Sequence, residues 1–150
     1  MQNTIEKQIQ ISASVPQVWQ ALTDSRQFGE WFRVRMEGPF VAGQPAEGQI
    51  THPGYEHLRM KIVINVINPM TLFSFFWHPY AVDPKVDYES EESTLIEFRL
   101  QPVADGTLLT VTESGFDRIP AERRAEAFLR NDNGWSQQMR NIQAYVSKTS

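Results

Sequence analysis

From Pro120 to Lys148 the chain reads PAERRAEAFLRNDNGWSQQMRNIQAYVSK, and Phe128, Trp135, Met139, Ile142 and Val146 recur within it at spacings of three, four and seven. That spacing lays the apolar residues along one face of a long helix. No other stretch of the sequence carries so long a helical pattern. The residues from Val34 to Glu113 instead alternate with the period of two expected of strands. A sheet with one apolar face must be covered, and a single helix is what this chain offers to cover it. The expectation is an α+β fold, a curved antiparallel sheet of about six to seven strands wrapped around one C-terminal helix. Asn131–Gly134 is poor helix material, since a mid-helix glycine costs about 1 kcal/mol against alanine. We read the helix as continuous, with Gly134 letting it approach the sheet closely.

The N-terminal third supplies the remaining elements. TIEKQIQI alternates Ile5, Ile9 and Ile11 against Glu6, Gln8 and Gln10, a strand with one buried side. Ser14 followed three residues later by Gln17 has the form of a capping box, and Pro16 is tolerated in a first helical turn. Val15, Val18, Trp19 and Leu22 then share a stripe. A second short helix over DSRQFGEWF turns Phe28, Trp31 and Phe32 inward. In the β region, Met60, Ile62, Ile64 and Val66 alternate against Lys61 and Asn65. Asn68-Pro69 marks a tight turn, and Asp105-Gly106 is the strongest hairpin signal in the chain.

Composition narrows function. The 150 residues suit one domain with one core, read here as spanning 1–150. The net charge is −4 and no Lys/Arg block stands out, which argues against a nucleic-acid surface. There are no cysteines, so disulfides, thiol catalysis and thiolate metal sites are excluded. The start, MQNTIEKQIQIS, is polar and alternating, unlike a signal peptide. No apolar run approaches the roughly 20 residues of a membrane span. A cytoplasmic protein is expected. His52, His57 and His78 have no ligand spacing, so no metal is expected, and no cofactor is implied.

The candidate site residues lie on the inner face of the sheet and the helix. Five of the eight residues in FSFFWHPY, Phe73 to Tyr80, are aromatic. Phe73, Phe75 and Trp77 share one face of that strand, and they either fill a core or line a cavity. Ile96, Phe98, Leu109 and Val111 point the same way from the next two strands. Glu113 continues the inward parity of Leu109 and Val111. A carboxylate is costly to bury alone, so it needs a partner or a wet cavity. Arg59 or His52 are the candidate cations. The segment AVDPKVDYESEES, with Asp83, Asp87, Glu89, Glu91 and Glu92, is a solvated connection or a flap over a pocket mouth.

Four stretches, ISASVPQVWQALTDSRQFGEWF, INVINPMTLFSFFWHP, GTLLTVTESGF and NGWSQQMRNIQAYV, resemble in order and spacing the activator of heat-shock-protein-90 ATPase homologue-like family. That family belongs to the START/SRPBCC, birch-pollen-allergen-like superfamily. Trp19, Trp31, Trp77, Gly115 and Trp135 match typical family positions. The resemblance covers nearly the whole chain and implies a helix-grip fold, with an apolar cavity between sheet and C-terminal helix. The co-chaperone that names the family carries a further chaperone-binding domain before this one. Nothing precedes the first strand here, which argues against a chaperone partner. The function expected is binding of a small hydrophobic molecule, a lipid or an aromatic compound, with no catalytic set identified. Its walls would be Ile62, Ile64, Phe73, Phe75, Trp77, Ile96, Phe98, Leu109, Val111, Trp135 and Met139, with Trp31 near the entrance and Glu113 as the polar group. Two other readings stand beside it: a cyclase/aromatase- or hydrolase-type enzyme using the same cavity, and a co-chaperone-like interaction module with a solid core.

Overall fold

The computed structural model describes residues 3–81 and 85–149, apart from the side chains at 89, 148 and 149. Among these residues the order is β1 (Thr4–Ile11), α1 (Val15–Thr23), α2 (Ser25–Phe32), β2 (Val34–Met36), β3 (Pro45–Ile50), β4 (Arg59–Asn68), β5 (Leu72–Trp77), β6 (Thr94–Val103), β7 (Gly106–Ser114) and α3 (Ala121–Thr149). The strands form one antiparallel sheet in the order β1-β7-β6-β5-β4-β3-β2. This is the α+β helix-grip arrangement, with two short helices after the first strand and one long helix over the inner face. No helix among the described residues is long and apolar enough to cross a membrane.

Local sequence fixes the two short helices. Ser14 caps α1, and the Gln17 side chain returns a bond to the Ser14 backbone N–H at 3.0 Å. Asp24 serves both helices. Its N–H donates to Gln20 O and closes α1, while its carboxylate accepts from the N–H groups of Arg26 and Gln27 and opens α2. Arg33 then ends α2 in the left-handed region at φ 68°. The β6–β7 hairpin turns through Ala104-Asp105, with Val103 opposite Gly106. Gly106 has φ 146°, and a side chain there would collide with the carbonyl of Ile11. The glycine lets the end of β1 close onto the start of β7, where Thr107 Oγ1 donates to Ala13 O at 2.8 Å.

Two expectations are corrected. The alternation read through β4 breaks at a bulge between Ile64 and Val66. Ile64 pairs with Phe75 and Ile67 with Phe73, so Ile67 faces the core and Val66 turns out opposite Ser74. The Ser74 hydroxyl fills the irregularity, accepting from Val66 N at 3.1 Å and bonding Asn65 Nδ2 at 3.2 Å. The second correction concerns α3. It is continuous, but Gly134 is exposed and no atom lies within 4 Å of where its Cβ would be. Gly134 therefore lies on the solvent face. Its neighbour Trp135 occupies the stripe against the sheet, with Met139, Ile142 and Val146.

Candidate functional site

The aromatic strand covers mainly other aromatic rings. Phe73, Phe75 and Phe98 are fully buried, and the Trp135 ring centre lies 5.7 Å from Phe98 and 5.6 Å from Trp77. Trp31 lies in this core and not at an opening: its indole N–H donates to Ala21 O at 2.8 Å, and its ring meets Phe28 edge-on at 5.0 Å. Ile64, Ile96, Leu109, Val111 and Met139 pack in the same core. The thirteen residues expected at a site are thus gathered around one inner core, and of them Ile62 and Trp77 also line a cavity.

Glu113 is fully buried, and its partners are neutral donors. Oε2 accepts from Thr94 Oγ1 at 2.6 Å and from Trp77 Nε1 at 2.8 Å. Oε1 accepts from Trp135 Nε1 at 2.8 Å, and Asn131 Nδ2 reaches both oxygens, at 2.9 and 3.1 Å. Loss of water pushes the carboxyl above its ordinary value, and the four donors oppose that shift. The cations expected beside it are elsewhere. Arg59 pairs with Glu37 at 2.7 Å and Glu47 at 3.5 Å, and the His52 ring meets Tyr55. Asn131 and Thr94 were missed, yet the signal was present. Asn131 sits three residues after Phe128 and four before Trp135, on the apolar stripe of α3. Thr94 shares the inward parity of Ile96 and Phe98.

The cavity opens where the sheet divides. β4 pairs with β5 from Val63 opposite Phe76 to Asn68 opposite Leu72, whereas Arg59 to Ile62 pair with β3 and not with β5. A space of about 1040 Å³ lies at this divergence. Both faces of β4 contribute, Met60 and Ile62 from the inner side and Lys61 and Val63 from the outer. Phe32 at the end of α2, Trp77 and Asn131 line it as well. The Phe32 ring centre lies 6.1 Å from Trp77.

The segment after β5 forms another wall through Tyr80, Ala81, Val86, Asp87 and Tyr88. It is tied to the start of α3 by Arg123. Its guanidinium donates to Glu91 Oε1 at 2.7 and 3.0 Å and to Pro79 O at 2.7 Å, and lies 4.8 Å from the Tyr88 ring centre. His78 Nε2 lies 3.1 Å from Glu91 O. Of the acidic residues considered for a flap, Asp87 lines the cavity and Glu91 holds the segment in place. Asp83 and the Glu89 side chain lie outside the described residues. Among the described residues, no three His, Asp or Glu side chains gather as a metal site would require.

A family model described as "Activator of Hsp90 ATPase homolog 1-like protein" matches residues 12–147. No curated protein matches the chain. Solved structures share the fold. Protein MLL2253 from Mesorhizobium loti superposes with a TM-score of 0.77 at 22% identity, covering 98% of both chains. DynU16, a protein of the dynemicin biosynthetic locus, gives 0.75 at 21% identity, with this chain spanning 49% of its length. The Aha1 dimer from Colwellia psychrerythraea gives 0.70 at 18% identity, covering 97% of this chain and 96% of that one.

Proposed function

On the premise that the chain belongs to the Activator of Hsp90 ATPase homolog 1-like family, as the match over residues 12–147 establishes, we propose that it binds a small, largely apolar molecule in the cavity between β4, β5, α2 and α3. The observation that carries this reading is the cavity itself. About 1040 Å³ suits a molecule of drug or metabolite size, and the lining combines aromatic and aliphatic side chains with polar ones, Asn131 among them. The ligand would lie beside the aromatic core, because the rings of Phe73, Phe75, Phe98 and Trp135 already occupy the space beneath α3. Its entrance is the divergence of β4 from β5. That solid core is what an interaction module would also have. The adjoining cavity, which such a module does not need, favours the ligand.

Two-dimensional NMR with a panel of naphthyl compounds and medium-chain alcohols tests this. Saturable shifts are expected at Phe32, Met60, Ile62, Trp77, Tyr80 and Asn131. Shifts absent from these residues across the whole panel would sink the reading.

A further inference from the structure

Glu113 does more than sit buried: its bonds fix which way round the Asn131 amide stands. Each indole N–H can only donate, so Trp77 and Trp135 require an acceptor at Oε2 and Oε1 respectively. Thr94 is the one partner whose bonded atom can also accept, and at 2.6 Å it serves as the acceptor if the carboxyl carries a proton. Asn131 bridges both carboxyl oxygens through Nδ2. Turning its amide over would set a carbonyl oxygen against a carboxylate. The amide is therefore held with Nδ2 inward and Oδ1 away from Glu113. Oδ1 has no protein partner among the described residues. Every buried side-chain nitrogen or oxygen described does have one, so Oδ1 is not buried. Asn131 lines the cavity.

The geometry points to Asn131 Oδ1 as a fixed hydrogen-bond acceptor that selects, within the proposed cavity, flat apolar ligands bearing an O–H or N–H group over equivalent carboxylates. This deepens the ligand-binding reading and rests on it. Trp77 offers the ligand its ring but no donor, since its N–H is held by Glu113. Phe32 offers a second ring 6.1 Å from the first. A carboxylate head at this end would meet a carbonyl oxygen, with the buried Glu113 carboxyl behind it. Of the lining cations, Arg59 is already engaged by Glu37 and Glu47, and Lys61 stands on the outward side of β4. Glu113 is thus a positioning residue. Asn131 is the group that touches the ligand.

Three probes of matched shape decide it: β-naphthol, its methyl ether and β-naphthoate, each titrated calorimetrically into the whole protein. β-Naphthol should bind about fivefold more tightly than the ether, the usual worth of one neutral hydrogen bond, and more tightly than the naphthoate. In Asn131→Leu the ratio of naphthol to ether dissociation constants should fall to about one. In Glu113→Gln the Asn131 amide is free to turn over, so the naphthoate should gain on the naphthol. Equal binding of naphthol and ether by the wild type, or tighter binding of the naphthoate, overturns the acceptor while leaving the cavity reading intact. Failure of all three to bind overturns both. An unchanged naphthoate-to-naphthol ratio in folded Glu113→Gln removes the positioning role. Should that variant not fold, the wild-type series and Asn131→Leu still decide the acceptor.

Discussion

Two opposing effects meet at Glu113. Burial disfavours its charge, and the indole, hydroxyl and amide donors favour it. Desolvation is the larger, so the folded protein holds the proton more tightly than the unfolded chain, whose glutamate sits near 4.5. The sign follows from linkage: the stabilising contribution is whole below pH 4.5 and is lost as pH rises through the higher folded value. Glu113→Gln does not titrate, and its amide must set an N–H against one of the two indole N–H groups, which costs about 1–3 kcal/mol. Urea unfolding of both proteins across pH should therefore show the wild-type advantage shrinking as pH rises. An advantage that grows with pH would mean the donors outweigh burial. The sequence exposed the inward parity of Glu113 but not its partners. Parity is set by one strand, whereas the partners come from β5, β6 and α3. Asn131 and Thr94 were open to the same parity reasoning, since each is polar on an otherwise apolar face.

At the scale of elements, features fixed within a few residues were legible and features fixed across the sheet were not. The Ser14 box follows from neighbouring residues alone, and so does the β6–β7 hairpin, although its turn lies at Ala104-Asp105 and Gly106 opens β7. The bulge that sends Ile67 inward in place of Val66 depends on how β4 meets β5, and nothing in the β4 sequence announces it. Gly134 is the instructive case on α3. The apolar stripe placed Trp135 correctly, and on a helix the residue beside a stripe residue turns about 100° away. Gly134 accordingly faces solvent, with open space where a Cβ would stand. Gly134→Ala should raise stability by about 1 kcal/mol, the difference in helix propensity. A guanidinium titration should show a higher midpoint at unchanged slope. A lower midpoint would place the glycine against a neighbour after all.

For the whole molecule, sequence patterns could say that aromatic residues face inward but not whether they enclose space. That depends on ring-to-ring packing among β5, β6, α2 and α3, and it resolved into a filled core with the cavity beside it. Part of one wall of that cavity is a 3₁₀ turn at Tyr88–Ser90, and side chains tie it to its neighbours. Among the described residues, Arg123 makes three hydrogen bonds to Pro79 and Glu91. It stands in the first turn of α3, where the helix dipole disfavours a cation, so helix stability does not account for it. Its side chain and that of Glu91 retain 17% and 13% exposure, enough shielding for the pair to matter more than an open surface bridge. The fork donates to a carboxylate and a backbone carbonyl together, a geometry that lysine cannot reproduce. Arg123→Ala should therefore speed amide exchange across residues 85–92 by about tenfold or more, equivalent to about 1.4 kcal/mol of local opening. Arg123→Lys should recover little of the protection, and amides in the β6–β7 ladder should exchange as in the wild type. Exchange in 85–92 unaltered by Arg123→Ala would show that the wall is held by the His78 and Tyr80 contacts instead, and that the tie to α3 does not set the shape of the cavity.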